Sequence, residues 1–191
     1  STRVTDEKEL NEMIRKRFID SSIKHFIIHD GALRCIGNIV SGSDIQTDVI
    51  VKHKSALALI AGIAAEHPKN SIRKEACYTL SNIAAGSQQH VETLLNTPKL
   101  ISNLMSVILN TKEHQEYHTK IAGLLGLLDQ KTTLWDVQKE AMWIFCNATS
   151  NASNAQIELI VKTGVLYPIC NALKSTNAKD EKFIAVALDA M

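Results

Sequence analysis

The sequence predicts an all-α protein in which similar helical units stack into a right-handed superhelix. Hydrophobic residues make up 45% of the chain but aromatic residues only 5%, a balance that favours helices over the aromatic-rich and β-branched strands of a β-sandwich. Only three prolines and eight glycines occur among 191 residues, so we expect long helices joined by short turns. One stretch also recurs three times, which indicates an array of repeats.

The recurring stretch has the pattern of a helix with an asparagine about one turn before its end. It reads GALRCIGNIVSGS at 31–43, KEACYTLSNIAAGS at 74–87 and KEAMWIFCNATSNA at 139–152. A small residue, an apolar stripe, the asparagine and then small or polar residues follow in the same order each time. The three stretches are therefore predicted to be equivalent helices of successive units.

The third copy shows two distinct helix faces. A buried face is predicted by the i, i+3, i+4, i+7 spacing of Ala141, Ile144, Phe145 and Ala148. Glu140, Trp143 and Asn147 share another face, rotated by about 100° from the first. A large aromatic side chain lined up with a carboxylate and an amide on a water-facing surface suggests a binding function.

Two further helical runs follow each copy, the first short and the second longer. They are predicted at 44–53 and 54–67, at 87–97 and 98–111, and at 154–164 and 165–176. A short, a medium and a longer helix are therefore expected in every unit. Residues 7–30 read as the end of a preceding unit, and 182–191 read as a helix without a C-cap. We expect the chain to be a fragment of a longer array.

The spacing of the asparagines identifies the class of repeat. Asn82 lies 44 residues after Asn38, within the roughly 40 to 47 residues of an armadillo or HEAT unit. Asn147 lies 65 residues after Asn82, and the excess is assigned to an insertion at about 112–135 that has no counterpart elsewhere. The predicted single stack consists of the end of a preceding unit at 1–42, units at 43–86 and 87–152, and a truncated unit at 153–191.

Composition and motifs argue against several functional classes. A formal net charge of +1 predicts no overall field for nucleic acid or anionic membranes. No apolar run approaches the roughly 18 to 20 residues of a membrane span. The four cysteines are far apart without a CxxC pair, which favours a reducing compartment over a disulfide framework.

No enzymatic, metal or cofactor site is predicted. No serine or cysteine lies in a glycine-rich elbow, no phosphate-binding loop occurs, and Cys35 falls on an apolar stripe with Ala32 and Ile36. His114, Glu116 and His118 have i, i+2, i+4 spacing, but the metalloprotease motif needs the glutamate directly after the first histidine. A solvated helix surface is the simpler interpretation.

Asn38, Asn82 and Asn147, which we call the asparagine row, suggest how a partner is recognised. Stacked units turn one row of helices toward the inside of the superhelix, and an amide offers both a donor and an acceptor to an extended peptide backbone. Trp143 would flank such a groove and pack against the alkyl stem of a lysine or arginine. Carboxylates at Glu75, Glu140 and Asp44 would select the positive charge.

Three segments, ALRCIGNIVSGSDIQT, KEACYTLSNIAAG and QKEAMWIFCNATSN, resemble the third helices of consecutive armadillo repeats in importin-α (karyopherin-α), the adaptor for nuclear localisation signals. The resemblance implies an armadillo solenoid and a minor, C-terminal peptide site. It leaves out the 112–135 insertion and the first 25 residues. Tyr78 stands where the family usually has tryptophan, and the insertion separates the last two helices in sequence.

The resemblance implies particular site residues. Arg34 with Asn38 matches an arginine-bearing repeat between the two family sites, and Val40, Gly42 and Thr47 match residues at the floor and edge. Val186 and Ala190 occupy the corresponding positions of the last helix, where the row ends. The implied peptide-binding residues are Arg34, Asn38, Ser41, Asp44, Glu75, Tyr78, Asn82, Glu140, Trp143 and Asn147.

The resemblance also implies the partners and the location of the protein. Proteins with basic nuclear localisation signals would bind directly, importin-β would bind through a segment absent from this chain, and neither nucleic acid nor membrane would bind directly. Shuttling between cytoplasm and nucleus is expected. The alternative is a catenin-like armadillo scaffold, whose groove would carry lysines and arginines for long acidic partners.

Overall fold

The structure, a computed structural model, describes residues 30–53, 55–67, 69–109, 133–174 and 180–189. Within this part of the chain the backbone forms ten α-helices and no strand. The helices are α1 (Asp30–Val40), α2 (Asp44–Val51), α3 (Ala56–Glu66), α4 (Asn70–Ala84), α5 (Gln88–Asn96), α6 (Leu100–Ile108), α7 (Leu134–Asn151), α8 (Asn154–Lys162), α9 (Leu166–Lys174) and α10 (Glu181–Asp189). The all-α prediction is confirmed.

Helices of the same kind lie side by side in successive units. The recurring stretches form the third helices α1, α4 and α7, and α4 packs against α1 on one side and α7 on the other, while α7 also packs against α10. The first helices α2, α5 and α8 contact one another in that order. Among the second helices, α3 packs closely against α6, whereas α6 and α9 make at most sparse contact. This is the nearest-neighbour arrangement of an armadillo solenoid.

The hydrophobic core runs along the inner faces of the third helices. The predicted stripe of α7 is confirmed, since Ala141, Ile144, Phe145 and Ala148 are all buried. On α4 the equivalent stripe is formed by Ala76, Leu80 and Ile83. Each third helix therefore buries a 3.6-residue-period stripe against its neighbours, which is the main driving force for stacking.

Each first helix begins with the same capping arrangement. The backbone N–H of an N-cap serine donates to the side chain three residues later, which satisfies a group left free at a helix start. The pairs are Ser43 with Gln46, Ser87 with His90, and Ser153 with Gln156, at distances of 3.0, 3.2 and 2.8 Å. The recurring S-x-x-Q/H pattern fixes where every unit starts its first helix.

Arg73 is a buried charge that closes the end of α3. Its Nε donates to the carbonyl oxygen of Ala64 at 2.9 Å, and its Nη1 donates to Oδ1 of Asn70 at 3.3 Å. The carbonyls of a helix C-terminus carry partial negative charge and lack intrahelical partners, so a guanidinium is well suited to this position. Burial lowers the pKa of Arg73 from its ordinary value.

One sequence expectation needs correction. The short–medium–longer order fails beyond the first set, because α5 and α6 each have nine residues. The predicted insertion at about 112–135 stays a prediction. Its last residues adjoin and begin α7: Thr133 caps the helix through Asp136, and the Trp135 ring meets Phe183 of α10 edge-on, with centroids 6.0 Å apart. The predicted unit boundaries at 42/43, 86/87 and 152/153 stay a prediction, and residues 7–29 and 112–132 lie outside the described residues.

Candidate binding surface on the third helices

The asparagine row lies on three helices that pack side by side. Asn38 is exposed on α1, whereas Asn82 on α4 and Asn147 on α7 are half-buried. Two contacts bring neighbouring members of the row close together: Asn147 bonds to the residue before Asn82, and the carboxylate of Glu75 lies next to the residue before Asn38. The structure therefore places the predicted positions on one continuous row of helices.

The flanking positions one turn earlier differ in exposure. Arg34 is exposed, Tyr78 is 42% exposed, and Trp143 is half-buried and packs against the core. The expectation that Trp143 stands clear of the apolar face was therefore only partly right, because part of its indole is used in packing. The remaining surface is held in a fixed position, which suits a ring that has to pack against a ligand side chain.

Asn147 is bonded to the neighbouring helix. Its Nδ2 donates to the carbonyl oxygen of Ser81 at 3.1 Å, and that oxygen also accepts the backbone N–H of Ala85 at 3.0 Å. A carbonyl oxygen only accepts hydrogen bonds, so the amide of Asn147 must present its NH2 group to α4. The orientation of this amide is thus set by the helix next to it.

Asn82 occupies the equivalent position on α4 but is bonded differently. Its Nδ2 is enclosed and has no hydrogen-bond partner within the described part of the chain. An enclosed donor without a partner costs free energy, because it has lost its hydrogen bonds to water. The same residue type at the same helix position therefore has a fixed amide on α7 and an unsatisfied one on α4.

Glu140 is a partly desolvated carboxylate. Burial raises its pKa from the ordinary value, while the charges of Lys74 and Lys139 act in the opposite direction and those of Asp136 and Asp180 add to the rise. Lys139 is itself paired with Asp180 at the start of α10, at 2.6 Å. A carboxylate in such surroundings gains more from an added cation than a fully hydrated one would.

The Glu75 carboxylate lies next to Gly37 of α1, where α4 and α1 approach closely. A Cβ on Gly37 would lie 3.2 Å from Oγ1 of Thr79 and 3.5 Å from Oε1 of Glu75. Glycine at position 37 therefore leaves room for α4 to approach α1 with these two side chains between them. Position 37 directly precedes Asn38, so the carboxylate lies beside the asparagine row.

The residues after α1 fall into two groups. Ser41, Gly42 and Asp44 are exposed, as expected for a groove edge, and the hydroxyl of Ser41 donates to the carbonyl oxygen of Asn38 at 2.9 Å. Val40 and Thr47 are each only 3% exposed, and the Thr47 hydroxyl donates to the Val40 carbonyl oxygen at 3.3 Å. The side chains of these two residues are used in the core, and their match to the floor and edge of the family site stays a prediction.

The far end of the row is less polar. Val186 on α10 is half-buried and packs against the core, while Ala190 lies outside the described residues. Asp180 caps α10 by accepting the backbone N–H of Phe183 at 3.2 Å. Because Ala190 is not among the described residues, the expectation that the row ends at this helix stays a prediction.

Asn151 was missed by the sequence reading. It lies four residues after Asn147, where α1 and α4 are followed by Gly42 and Gly86, and its Nδ2 donates to the carbonyl oxygen of Ala85 at 3.0 Å. α7 continues through Asn151, whereas α4 ends two residues after its own asparagine at Ala84. The signal was available, because this asparagine breaks an otherwise repeated glycine.

His90 joins two first helices and was also missed. Its ring is 1% exposed, Nδ1 accepts the Ser87 N–H, and Nε2 lies 2.8 Å from Oδ1 of Asp48 on α2. Since Nδ1 accepts, Nε2 carries the proton and donates to Asp48. Asp44 is 67% exposed, with Oδ1 4.0 Å from Nδ1 of His90. Asp44 thus lies near a packed first-helix joint.

The four cysteines are free thiols. Burial raises the pKa of Cys77 to about 12 and that of Cys146 to about 11, so both thiols are protonated at neutral pH and are poor nucleophiles.

Among the described residues, no cluster of three His, Cys, Asp or Glu side chains could hold a metal ion. The His114, Glu116 and His118 set lies outside them. None of the described helices has the length and hydrophobicity to cross a membrane.

The fold and the row of third helices define an armadillo-repeat solenoid. The solved structure of an engineered protein superposes with a TM-score of 0.50 at 20% identity, covering 96% of this chain and 82% of that one. A designed armadillo repeat protein in complex with peptide (KR)4 gives a TM-score of 0.42, also at 20% identity, covering 96% of this chain and 84% of that one.

Parts of the chain are homologous to plant importin α subunits. Importin subunit alpha-1a of Oryza sativa subsp. japonica is 45% identical over 65 residues, 34% of this chain and 12% of that protein. Importin subunit alpha-5 of Arabidopsis thaliana is 30% identical over 120 residues, 63% of this chain and 18% of that protein. The aligned parts thus span less than a fifth of these relatives. No protein-family model matches the chain.

Proposed function

We propose that the chain binds Lys/Arg-rich peptides in extended form along the asparagine row, as part of a nuclear import adaptor of the importin-α type. The observation that carries this proposal is that Trp143, Asn147 and Glu140 are grouped on α7. The amide of Asn147 is held by a hydrogen bond to α4, and the side chains of Trp143 and Glu140 are half-buried. The partial homology to importin α subunits supports the same class of partner.

The side chains at each third helix have complementary tasks. An asparagine amide bonds to the peptide backbone and so does not discriminate among ligand side chains. The ring of Tyr78 or Trp143 packs against an alkyl stem and attracts its terminal cation by about 0.5 to 2 kcal/mol. Glu75 and Glu140 attract the same cation, and the partial burial of Glu140 reduces the screening of that attraction by water.

The proposal also covers the remaining site residues, the partner proteins and the location of the protein in the cell. Arg34 and Asn38 on α1, with Ser41 and Asp44 after it, form the exposed end of the site. The partners are proteins with basic nuclear localisation signals, and the location is cytoplasm and nucleus. The chain acts by binding alone, without a cofactor.

A second candidate function is an armadillo scaffold for folded, acidic partners. The observation that favours it is the presence of basic groups on the same helices: Arg34 is exposed, and Lys74 and Lys139 lie close enough to Glu140 to affect its pKa. The two functions differ in the sign of charge that the groove selects.

A titration distinguishes the two candidates. We would measure binding of a fluorescent Lys/Arg-rich peptide and of an equally long Asp/Glu-rich peptide to the purified chain. The proposed function requires tighter binding of the basic peptide, and requires that the Trp143→Ala, Asn147→Ala double variant loses it. Preference for the acidic peptide would establish the scaffold instead, and equal weak binding of both would exclude a charge-selective groove.

A further inference from the structure

Lys139 directly precedes Glu140 in the chain, so a cation of the protein itself lies beside a carboxylate that we assign to ligand recognition. Neighbouring side chains on a helix point about 100° apart, and Nζ of Lys139 lies 2.6 Å from Oδ2 of Asp180, at the start of α10. These two side chains are 18% and 31% exposed, so water screens their attraction less than that of a surface pair. No ion pair within the described part of the chain includes Glu140.

The charges around Glu140 show what Asp180 contributes. The positive charges of Lys74 and Lys139 act to lower the pKa of Glu140, and the negative charge of Asp180 acts to raise it. The two lysines attract the carboxylate and would repel an incoming ligand cation. Because Asp180 opposes the effect of Lys139, the closed pair adds little net charge beside Glu140.

Loss of Asp180 would change the surroundings of Lys139. Its ammonium would be partly buried without its ion-pair partner, which is unfavourable. The carboxylates on α7 that already respond to its charge are Asp136 and Glu140. Lys139 would then be drawn toward the negative charge that should attract the ligand.

Asp180 also has a structural task, which its two oxygens keep separate from the ion pair. Oδ1 accepts the backbone N–H of Phe183 at 3.2 Å and so caps α10, while Oδ2 receives Lys139. Asparagine is as good an N-cap residue as aspartate. Asp180→Asn therefore removes the charge and keeps the capping acceptor.

We infer that Asp180 is a positioning residue that sets the specificity of the site: by pairing with Lys139 it holds that cation on α10 and leaves Glu140 for a lysine or arginine of the ligand. Lys139 is the internal competitor of the ligand cation. This inference rests on the proposed function, and it adds a pair of residues that touch neither the asparagine row nor, on this assignment, the ligand.

Titration of a fluorescent Lys/Arg-rich peptide tests the inference. Asp180→Asn should weaken binding by a factor of about three to ten at low salt, and the loss should shrink at high salt. Adding Lys139→Met, which keeps a flexible apolar stem without the charge, should restore binding to within about twofold of wild type. A role in packing or capping alone would not be reversed by a second substitution.

Glu158→Gln is the matched control. Glu158 and Lys162 on α8 form an ion pair of the same 2.6 Å length, but their side chains are 66% and 67% exposed on a first helix. This variant changes the net charge as Asp180→Asn does. It should leave peptide affinity within about twofold of wild type, because an exposed charge away from the third helices is screened by salt.

A double-mutant cycle checks that the effect passes through Glu140. Asp180→Asn should have a smaller effect when Glu140 is replaced by glutamine, because Lys139 then has no carboxylate there to compete for. Equal effects in both backgrounds would overturn the inference. Lys139→Met alone should bind the basic peptide at least as tightly as wild type, and a loss of affinity would also overturn it.

The failures of the two proposals are distinguishable. Absence of binding of any basic peptide by the wild-type chain would refute the proposed function, and with it this inference. Normal wild-type binding, with Asp180→Asn unchanged or not rescued by Lys139→Met, would refute only the inference. Circular dichroism spectra equal to wild type would show that the variants are folded.

Discussion

α4 packs against α1 through one face and against α7 through the other, and the two contacts are built differently. The α1 contact is a close approach at Gly37, with Glu75 and Thr79 between the helices. The α7 contact adds hydrogen bonds from Asn147 and Asn151 to carbonyls at the end of α4. Equivalent sequence positions thus gave an unsatisfied amide at Asn82 and a fixed amide at Asn147.

The difference shows that a repeated motif specifies which residues share a helix face, but not which hydrogen bonds hold them in place. Those hydrogen bonds depend on the neighbouring helix. Asn147 donates to a carbonyl oxygen within α4, and Asn151 donates to one at its C-terminal end. Ligand contacts on α7 should therefore cost less ordering entropy than those on α4.

Removing a large buried side chain on the α7 side should have the largest effect. Phe145→Ala leaves a cavity, because Phe145 is buried in the core, and should lower the free energy of unfolding by about 3 to 5 kcal/mol. Urea denaturation followed by circular dichroism measures it. Leu159→Ala, at an exposed position on α8, is the control and should change stability by less than about 0.5 kcal/mol. A decrease of less than about 1 kcal/mol in the unfolding free energy of Phe145→Ala would contradict tight packing of Phe145 in the core.

Trp143→Ala should next weaken binding of a Lys/Arg-rich peptide by about 1 to 3 kcal/mol, through loss of apolar contact and of cation attraction. Tyr78→Ala should have a smaller effect, since a phenol attracts a cation less strongly than an indole does. Isothermal titration calorimetry measures both. In a double-mutant cycle, replacing the central ligand lysine should matter less once Trp143 is absent, and strict additivity would show that the two do not touch.

The two asparagines should respond in different ways when truncated. Asn147→Ala removes the bond to the Ser81 carbonyl and should cost about 0.5 to 1.5 kcal/mol of unfolding free energy. Asn82→Ala removes an enclosed donor without a partner and should be close to neutral or slightly stabilising. Thermal and urea unfolding measure the two effects. Equal destabilisation by Asn147→Ala and Asn82→Ala would show that the two amides are not bonded differently.

The smallest expected effect concerns Glu140 and pH. Burial raises its pKa in the folded chain above the ordinary value of 4.5, so the folded state holds this proton more tightly than the unfolded state. Stability is then lost as pH rises from about 4.5 through the raised folded pKa, and it stays lower at neutral pH. Glu140→Gln should flatten this decline and slightly stabilise the protein at pH 7.

The same variant should weaken peptide binding, because the ligand cation loses a partner. It should also reduce the salt dependence of affinity, since charge attraction is screened over roughly 10 Å in 0.1 M salt. Urea midpoints between pH 4 and 8, together with titrations at two salt concentrations, measure both properties. An unchanged salt dependence would show that Glu140 takes no part in recognition.

Much of the fold could be predicted because its signals are local and periodic. The stripe of Ala141, Ile144 and Phe145 follows directly from helix geometry, and it is buried as expected. The start of α7 at Leu134 was not identified from the sequence, although α4 also begins ahead of its recurring stretch, at Asn70. The T-x-x-D capping box of Thr133 and Asp136 was the signal that could have identified it.

The candidate site was predictable only in outline. The residue types of the asparagine row and its flanks follow from repetition, but the burial of Trp143, Val40 and Thr47 does not, because it depends on which neighbour each side chain meets. Asn151 could be noticed as a departure from glycine. Its acceptor, 66 residues earlier in the chain, could not be identified from any local pattern.

The amino-acid sequence by itself determined the helices, their repetition and the side chains that each third helix directs away from its apolar stripe. These properties depend on periodicity and capping, which act within a few residues. Only the tertiary structure decided that Ser81 and Ala85 receive the amides of α7, that Glu140 is half-buried and that the Asn82 amide lacks a partner. Those outcomes depend on contacts between units, where distance along the chain gives no information about distance in space.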